Sequence, residues 1–370
     1  MIYNQIKHVL PAFRLDGTYR QVQELHSGNI NGTYHLEYDH EDGVCHYVLQ
    51  RVNAYVFKHP DVVNENIRRV TSHVYQSLQR DGIDPDRRVL ELIPTAKDEL
   101  IHRDREGEYW RVYRFIEDAT AYDAVEKDEH FYEAGRAFGE FQRRLIDFPA
   151  EQLVDTIPFF HHTPRRFCTF VESLTEDKVG RADAVEAEID FLFGRRKMMG
   201  EIVKLLRQGM LPLRVTHNDT KINNVMIDNA TDKALCVIDL DTVMTGSALY
   251  DFGDAIRFGA STAKEDEEDL SKIALDMDKF KLFTRGFVEE TNGFLTTDEL
   301  RMLPLGVKVL TCELAMRFLT DYLDGDVYFK VKSPKHNLVR TRAQMRLLED
   351  IEAKYDDMVA FIVDLIGAKG

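Results

Sequence analysis

The sequence is poor in cysteine. Its four, Cys45, Cys168, Cys236 and Cys312, are far apart and form no C-x-x-C pair. That spacing argues against a zinc ribbon or a disulfide framework and fits a reducing cytoplasm. No apolar run reaches the ~18 residues needed to cross a bilayer. The opening Met1-Ile2-Tyr3-Asn4-Gln5-Ile6-Lys7 has no basic region ahead of an apolar stretch, so no secretory signal is expected. Repeats and low-complexity segments are lacking. Positive charge is in deficit: 48 Lys and Arg against 64 Asp and Glu give a formal charge of −16. Nucleic acid and anionic membrane surfaces are therefore disfavoured as partners. Any polyphosphate ligand must meet a local cation or a bridging metal.

What is present is a chain of 370 residues, 44% hydrophobic and 30% charged, enough for two lobes with a sizeable core. Residues 1–20 read as a short helix and a turn at Asp16-Gly17. From Val22 to Gln50 the pattern is strand–turn–strand, with Asp42-Gly43 as a hairpin signal ahead of Cys45–Val52. Ile67, Val70, Val74 and Leu78 fall at helical spacing and predict a helix over 61–80. Strands follow near Leu90–Pro94 and Glu108–Phe115, the second holding the single tryptophan, Trp110. Beyond a connector near 115–119, amphipathic helices are expected over 129–147, 181–208, 276–291, 298–324 and 337–368. One strong strand signal interrupts them, Leu235-Cys236-Val237-Ile238-Asp239-Leu240-Asp241. The expectation is an α+β fold of bilobal, protein-kinase-like type. A β-rich nucleotide-binding lobe would span 1–117, and a helical lobe 118–370 would carry the catalytic loop and acceptor site.

The segment His217-Asn218-Asp219-Thr220-Lys221-Ile222-Asn223-Asn224 concentrates the groups that phosphoryl transfer requires. Asp219 is the candidate base. Asn224 stands five positions later, the D-x-x-x-x-N spacing of kinase catalytic loops, and is a candidate metal ligand. Lys221 is placed to approach a γ-phosphate. Asp239, at the end of an apolar strand, is the candidate ligand for magnesium on ATP, and Asp241 a second ligand or a substrate contact. Each of these residues alone reads equally well as a turn or cap residue; their conjunction does not.

Two tripeptides imitate kinase motifs. His102-Arg103-Asp104 sits between two strands and has Tyr109 where asparagine would be needed, so it reads as an exposed turn. Asp251-Phe252-Gly253 follows the Asp239 strand and reads as a helix start, with Asp251 and Asp254 bracing the catalytic loop. The turn Ser27–Tyr34 is G-x-x-x-G rather than G-x-G-x-x-G and reads as a phosphate or substrate cover or as an ordinary hairpin. Where V-A-I-K would put a lysine, Tyr47-Val48-Leu49-Gln50-Arg51 has Gln50. Arg51 faces the opposite side of the strand. Glu65 on the first helix is left without an evident lysine partner.

These residues resemble the aminoglycoside phosphotransferase and choline kinase superfamily, and within it the N-acetylhexosamine 1-kinases. The resemblance rests on 213–221, 237–242, 252–262, Met316-Arg317-Phe318-Leu319 and 336–342. That family carries glutamine at the Gln50 position. The resemblance implies transfer of the ATP γ-phosphate to the anomeric hydroxyl of N-acetylglucosamine or N-acetylgalactosamine. Asp219 would be the base, Lys221 a catalytic cation, and Asn224, Asp239 and Asp241 the Mg2+ ligands. Gln50, Phe115 and Glu117 would contact nucleotide. Asn29, Asn31, Arg317 and Tyr328 would contact sugar; Asn29 stands where relatives carry histidine. Arg317 also reads as a same-helix ion pair with Asp321, and Tyr328 as a packing residue. Other acceptors (choline, ethanolamine, homoserine, an aminoglycoside) and a non-catalytic nucleotide- or sugar-binding homologue are the alternatives.

Overall fold

The structure, a computed structural model, describes residues 2–25 and 30–367. Asn29 therefore lies outside the described residues. The first elements are α1 (Ile2–Val9), β1 (Thr18–Leu25), β2 (Gly32–His40), β3 (Gly43–Val52) and α2 (Pro60–Arg80). Then come β4 (Leu92–Ile93), β5 (His102–Arg103), β6 (Tyr109–Arg114), β7 (Ala119–Thr120), α3 (Asp128–Arg144), α4 (Thr163–Glu176), α5 (Glu186–Met199) and α6 (Glu201–Arg207). The remainder comprises β8 (Arg214–Thr216), β9 (Val225–Asp228), β10 (Ala234–Val237), β11 (Met244–Gly246), α7 (Ala248–Gly259), α8 (Met277–Thr291), α9 (Thr297–Asp324), α10 (His336–Ala353) and α11 (Tyr355–Gly367). None of the described helices is long and apolar enough to cross a membrane.

The chain divides into two compact units. One comprises 1–120, 151–157 and 226–244; the other 121–150, 158–225 and 245–370. In the first, an antiparallel sheet runs β1-β2-β3-β6-β4, with β5 also pairing β6. Strand alternation splits its residues by face. Tyr34, Leu36, Tyr38, Tyr47, Leu49, Trp110 and Val112 pack against Ile6, Val9 and Leu10 of the α1 region to form the core. Thr33, His35, Glu37, His46, Gln50 and Arg111 alternate with them and lie on the opposite face. Asn66 of α2 donates to Val154 O at 2.8 Å and to Val243 O at 3.2 Å, which binds the two later segments into this unit.

In the second unit α9 is central. Its Cys312, Ala315, Met316, Leu319 and Leu323 bury against α4, α5 and α10. A capping box starts it: Thr296 accepts from Glu299 N, and Glu299 accepts from Thr296 N. The expected 181–208 helix is divided at Gly200 and the 337–368 helix at Lys354. Helix α4 was not anticipated; its Thr163-Pro164 start follows an aromatic–histidine run, 159–162, that carries no helical period. The strand expected over 235–241 stops at Val237, because Asp239 turns left-handed (φ 58°, ψ 58°) into a short 3-10 turn, Leu240–Thr242.

Candidate active site

The loop after β8 is held by α7. Asp251, buried, accepts from His217 N (3.0 Å), Asn218 N (2.8 Å) and Gln142 Nε2 (2.7 Å). Its main-chain oxygen takes Thr220 Oγ1 at 2.5 Å. Asp254 Oδ2 accepts from Thr220 N at 3.0 Å, and Arg257 pairs with its other oxygen at 2.7 Å. Both aspartates brace the loop, as their sequence position implies. Burial pushes the Asp251 carboxyl above its ordinary range despite its donors. Burial pushes Asp254 the same way, but Arg257 and Lys221 outweigh it and hold Asp254 below. Asn218 accepts a left-handed conformation (φ 66°), which asparagine tolerates better than most residues.

The loop so fixed brings Asp219, Lys221 and Asn224 together. Lys221 Nζ lies 2.9 Å from Asp219 Oδ1. Asn224 Nδ2 donates to Asp219 O at 2.7 Å and to Asp219 Oδ2 at 3.2 Å. The amide nitrogen being used in this way, Asn224 Oδ1 is the atom left to serve as an oxygen ligand. Asp219 and Asp254 hold the Lys221 ammonium protonated well above its ordinary range, against the cost of burial. His217 Nδ1 accepts from Asp219 N at 3.2 Å between the rings of Phe138 and Phe141, which fixes the proton on Nε2.

In the first unit Gln50 stands opposite Arg111 in the β3–β6 register and opposite Thr33 in β2–β3. Its Oε1 accepts from Arg111 Nε (2.9 Å) and Nη2 (2.7 Å), and its Nε2 donates to Thr33 Oγ1 at 3.3 Å. Arg111 Nη2 reaches Asp241 Oδ1 at 2.5 Å, and both side chains are buried. Asn31 Nδ2 donates to Asp241 Oδ2 at 2.7 Å. Asp241 thus engages both oxygens within the protein, whereas the Asp239 carboxylate is on an exposed residue. Burial works against the Arg111 charge, but Asp241 and Asp239 outweigh it and hold the guanidinium protonated. Asn64 of α2, rather than Glu65, faces Arg111 (Nη1 to Oδ1, 3.3 Å); Glu65 is taken by Arg68 and Arg69. Sequence reasoning missed Arg111. The available signal was a charged residue set between Trp110 and Val112, inside the strand rather than at its end. Phe115 is half-buried beside His35 (ring centroids 4.8 Å). Glu117 is exposed, its carbonyl held by Arg87 Nε at 3.0 Å. Asp104 is a turn anchor, taking Glu106 N and Glu108 N at 2.9 Å and Trp110 Nε1 at 2.8 Å.

In the second unit Arg317 lies over three rings, Phe160 (5.4 Å), Tyr328 (5.8 Å) and Phe329 (5.5 Å). Asp321 is not its partner. That carboxylate caps the following turn, accepting from Val327 N, Tyr328 N and Phe329 N at 2.9, 2.7 and 2.9 Å. Arg166 is the second cation; burial and then repulsion by Arg317 pull its guanidinium down to about 10. Glu313 offsets both and pairs with His161 Nδ1 at 3.0 Å. His161 also bears on Asp254, which links this cluster electrostatically to the catalytic loop. His161, Arg166 and Phe160 carried no sequence signal, because the turn that assembles them has no motif.

A family model described as the phosphotransferase enzyme family matches residues 21–280. The chain belongs to that family. Solved structures agree on its fold. A microcompartment-associated aminopropanol kinase is 14% identical at a TM-score of 0.60, covering 96% of this chain and 98% of that one. A spectinomycin phosphotransferase in complex with ADP and spectinomycin is 13% identical at 0.53, covering 98% of each. A choline/ethanolamine kinase family protein from Mesorhizobium loti is 17% identical at 0.51, covering 98% and 99%. At these identities the likeness carries the fold: this phosphotransferase is mixed α+β, with a β-sheet N-terminal region and a helical C-terminal region.

Proposed function

We propose that this phosphotransferase is a small-molecule kinase that moves the γ-phosphate of ATP to the anomeric hydroxyl of an N-acetylhexosamine. The observation that carries the reading is the loop in which Asp219 meets Lys221 and Asn224 at hydrogen-bond distance. Asp219, 2.9 Å from Lys221 Nζ, orients the acceptor hydroxyl and takes its proton as the new O–P bond forms. Lys221 stands for the charge on the transferred phosphoryl group. Asn224 and Asp239 offer only hard oxygen donors, a set that suits magnesium. When bound, magnesium supplies charge neutralisation on the phosphates. Asp241 acts by holding Arg111, and Gln50 orients Arg111 from the other side. Phe115 and Glu117 are the nucleotide contacts of this reading, and Asn31, Arg317 and Tyr328 its sugar contacts.

The acceptor is narrowed by two lines of support. The sequence stretches around the loop and around Arg317 resemble the N-acetylhexosamine 1-kinases. In addition, the aromatic group at Phe160, Tyr328 and Phe329 is already occupied by the Arg317 cation, with Arg166 near it. A quaternary amine needs such a cage empty, so choline and polycationic acceptors are disfavoured against a neutral sugar. The test is an acceptor panel with ATP and magnesium: N-acetylglucosamine, N-acetylgalactosamine, plain hexoses, choline, ethanolamine and an aminoglycoside. Sugar 1-phosphate is the expected product; no product from any reducing sugar sinks the reading. Asp219→Asn is expected to cut turnover by more than about 100-fold, and near-normal turnover excludes Asp219 as the base.

A further inference from the structure

Arg317 is flanked along α9 by two carboxylates, Glu313 four residues before it and Asp321 four after. Side chains at that spacing share a helix face, and such a carboxylate is the ordinary partner of an arginine. Neither takes it. Glu313 Oε1 is given to His161 Nδ1 at 3.0 Å and lies 3.5 Å from Arg166 Nε. Asp321 accepts the three main-chain N–H groups of the turn after α9 and the Asn337 side-chain amide at 2.8 Å. Among the described residues Arg317 forms no hydrogen bond and no ion pair; its guanidinium rests on the rings of Phe160, Tyr328 and Phe329. Arg166 is beside it: the two guanidinium carbons stand 5.5 and 5.4 Å from the centre of the same Phe160 ring. Arg166 donates Nε to Phe160 O, and its terminal nitrogens have no acceptor among the described residues. Two deeply buried atoms of the cluster, His161 Nε2 and Glu313 Oε2, also have no partner there. Tyr328 is 52% exposed, so the cluster is open to solvent on that side.

We propose that Arg317 and Arg166 form an oxyanion subsite that binds a carboxylate or phosphate monoester carried by the acceptor sugar away from its anomeric carbon. The inference rests on the kinase reading above and narrows its acceptor to an acidic N-acetylhexosamine in preference to the neutral one. Two arginines against one carboxylate leave one positive charge over, in a chain whose formal charge is −16. Like charges held together are costly, and a ligand of opposite charge relieves that cost. A neutral hydroxyl or amide does not. Cation–π contact holds the Arg317 guanidinium without using its N–H groups. Those donors remain free, in the planar fork that fits a carboxylate or phosphate. His161 packs on Tyr250 of α7 at 5.0 Å between ring centroids, and α7 is the helix that braces the catalytic loop. Every residue of the cluster belongs to the second unit, as do Asp219 and Lys221.

The test uses the full chain with ATP, magnesium and three acceptors: N-acetylglucosamine, its 6-phosphate and its 3-O-carboxyalkyl ether. At least one acidic acceptor should exceed the neutral parent in kcat/KM by about 10-fold or more, the size of one charge-assisted hydrogen bond. The arm that gains distinguishes phosphate from carboxylate. Calorimetry of the same compounds without ATP reads binding apart from turnover and should give the same order. Arg166→Gln should bring the acidic-to-neutral ratio of kcat/KM close to one. Arg166→Lys keeps the charge without the fork and should retain part of the preference. Circular dichroism with thermal melting checks that both variants are folded. Acidic compounds that bind and react no better than the neutral parent overturn the subsite and leave the kinase reading in place. An unchanged ratio in folded Arg166→Gln overturns it as well. Tighter binding of an acidic compound with no phosphorylation of any sugar upholds the subsite and overturns the kinase reading.

Discussion

At the scale of single residues, the informative pair is Arg111 and Asp241. Each is nearly inaccessible, at 1% and 3% exposure. A buried ion pair is of uncertain net benefit, but removing one partner strands the other charge. Arg111→Met is therefore expected to cost about 3–5 kcal/mol in denaturant unfolding, and adding Asp241→Leu should restore most of it. An unchanged unfolding midpoint for Arg111→Met would refute the stranded-charge account. The loop residues Asp219, Lys221 and Asn224 were legible in the sequence because their chemistry is local, set by spacing within eight residues. Arg111 was not, because its partners lie 61 and 130 positions away (Gln50 and Asp241), one brought to it by strand register and the other by the 3-10 turn after β10.

At the scale of elements, α7 does more than its sequence suggests. Asp251-Phe252-Gly253 looks like a metal-binding motif but functions as a brace. Gly253 is there for closeness: a Cβ on it would meet Gly306 O of α9 at 2.4 Å, and one on Gly306 would meet Leu249 O at 2.0 Å. The contact sets where α7 lies, and α7 sets the loop through Asp251 and Asp254. Gly306→Ala should destabilise by about 3 kcal/mol through overpacking and lower activity along with it. Gly194→Ala in α5 has nothing within 4 Å of the added Cβ. It should be neutral or stabilising by up to about 1 kcal/mol. Denaturant midpoints of the two variants check the contrast, and equal midpoints would remove the packing argument. Helical periodicity located most helices to within a few residues. The breaks at Gly200 and Lys354 were invisible because the apolar pattern continues through them.

At the scale of the whole molecule, buried carboxylates set the acid response. Asp254 and Glu313 are held below the ordinary range by their cations. Their contribution is complete above the unfolded value of about 4 and is lost as pH falls below it through the lower folded values. Asp251, held above its ordinary value, has the opposite sign: its contribution declines as pH rises from about 4. The melting temperature should fall on acidification, and Asp254→Asn should make that fall shallower; parallel profiles for variant and wild type would refute the assignment. By itself the sequence determined the order of β-rich and helical regions, the spacing of the candidate loop 217–224 and the family resemblance. These follow from short-range spacing and periodicity, which a linear text preserves. Only the tertiary structure decided that Arg111 bonds Gln50, that Asp241 is tied to Arg111 and Asn31, and that Arg317 sits among aromatic rings rather than on Asp321. Each depends on residues distant in the chain meeting across strand registers and helix crossings, and on burial, which selects partners by desolvation rather than by sequence distance.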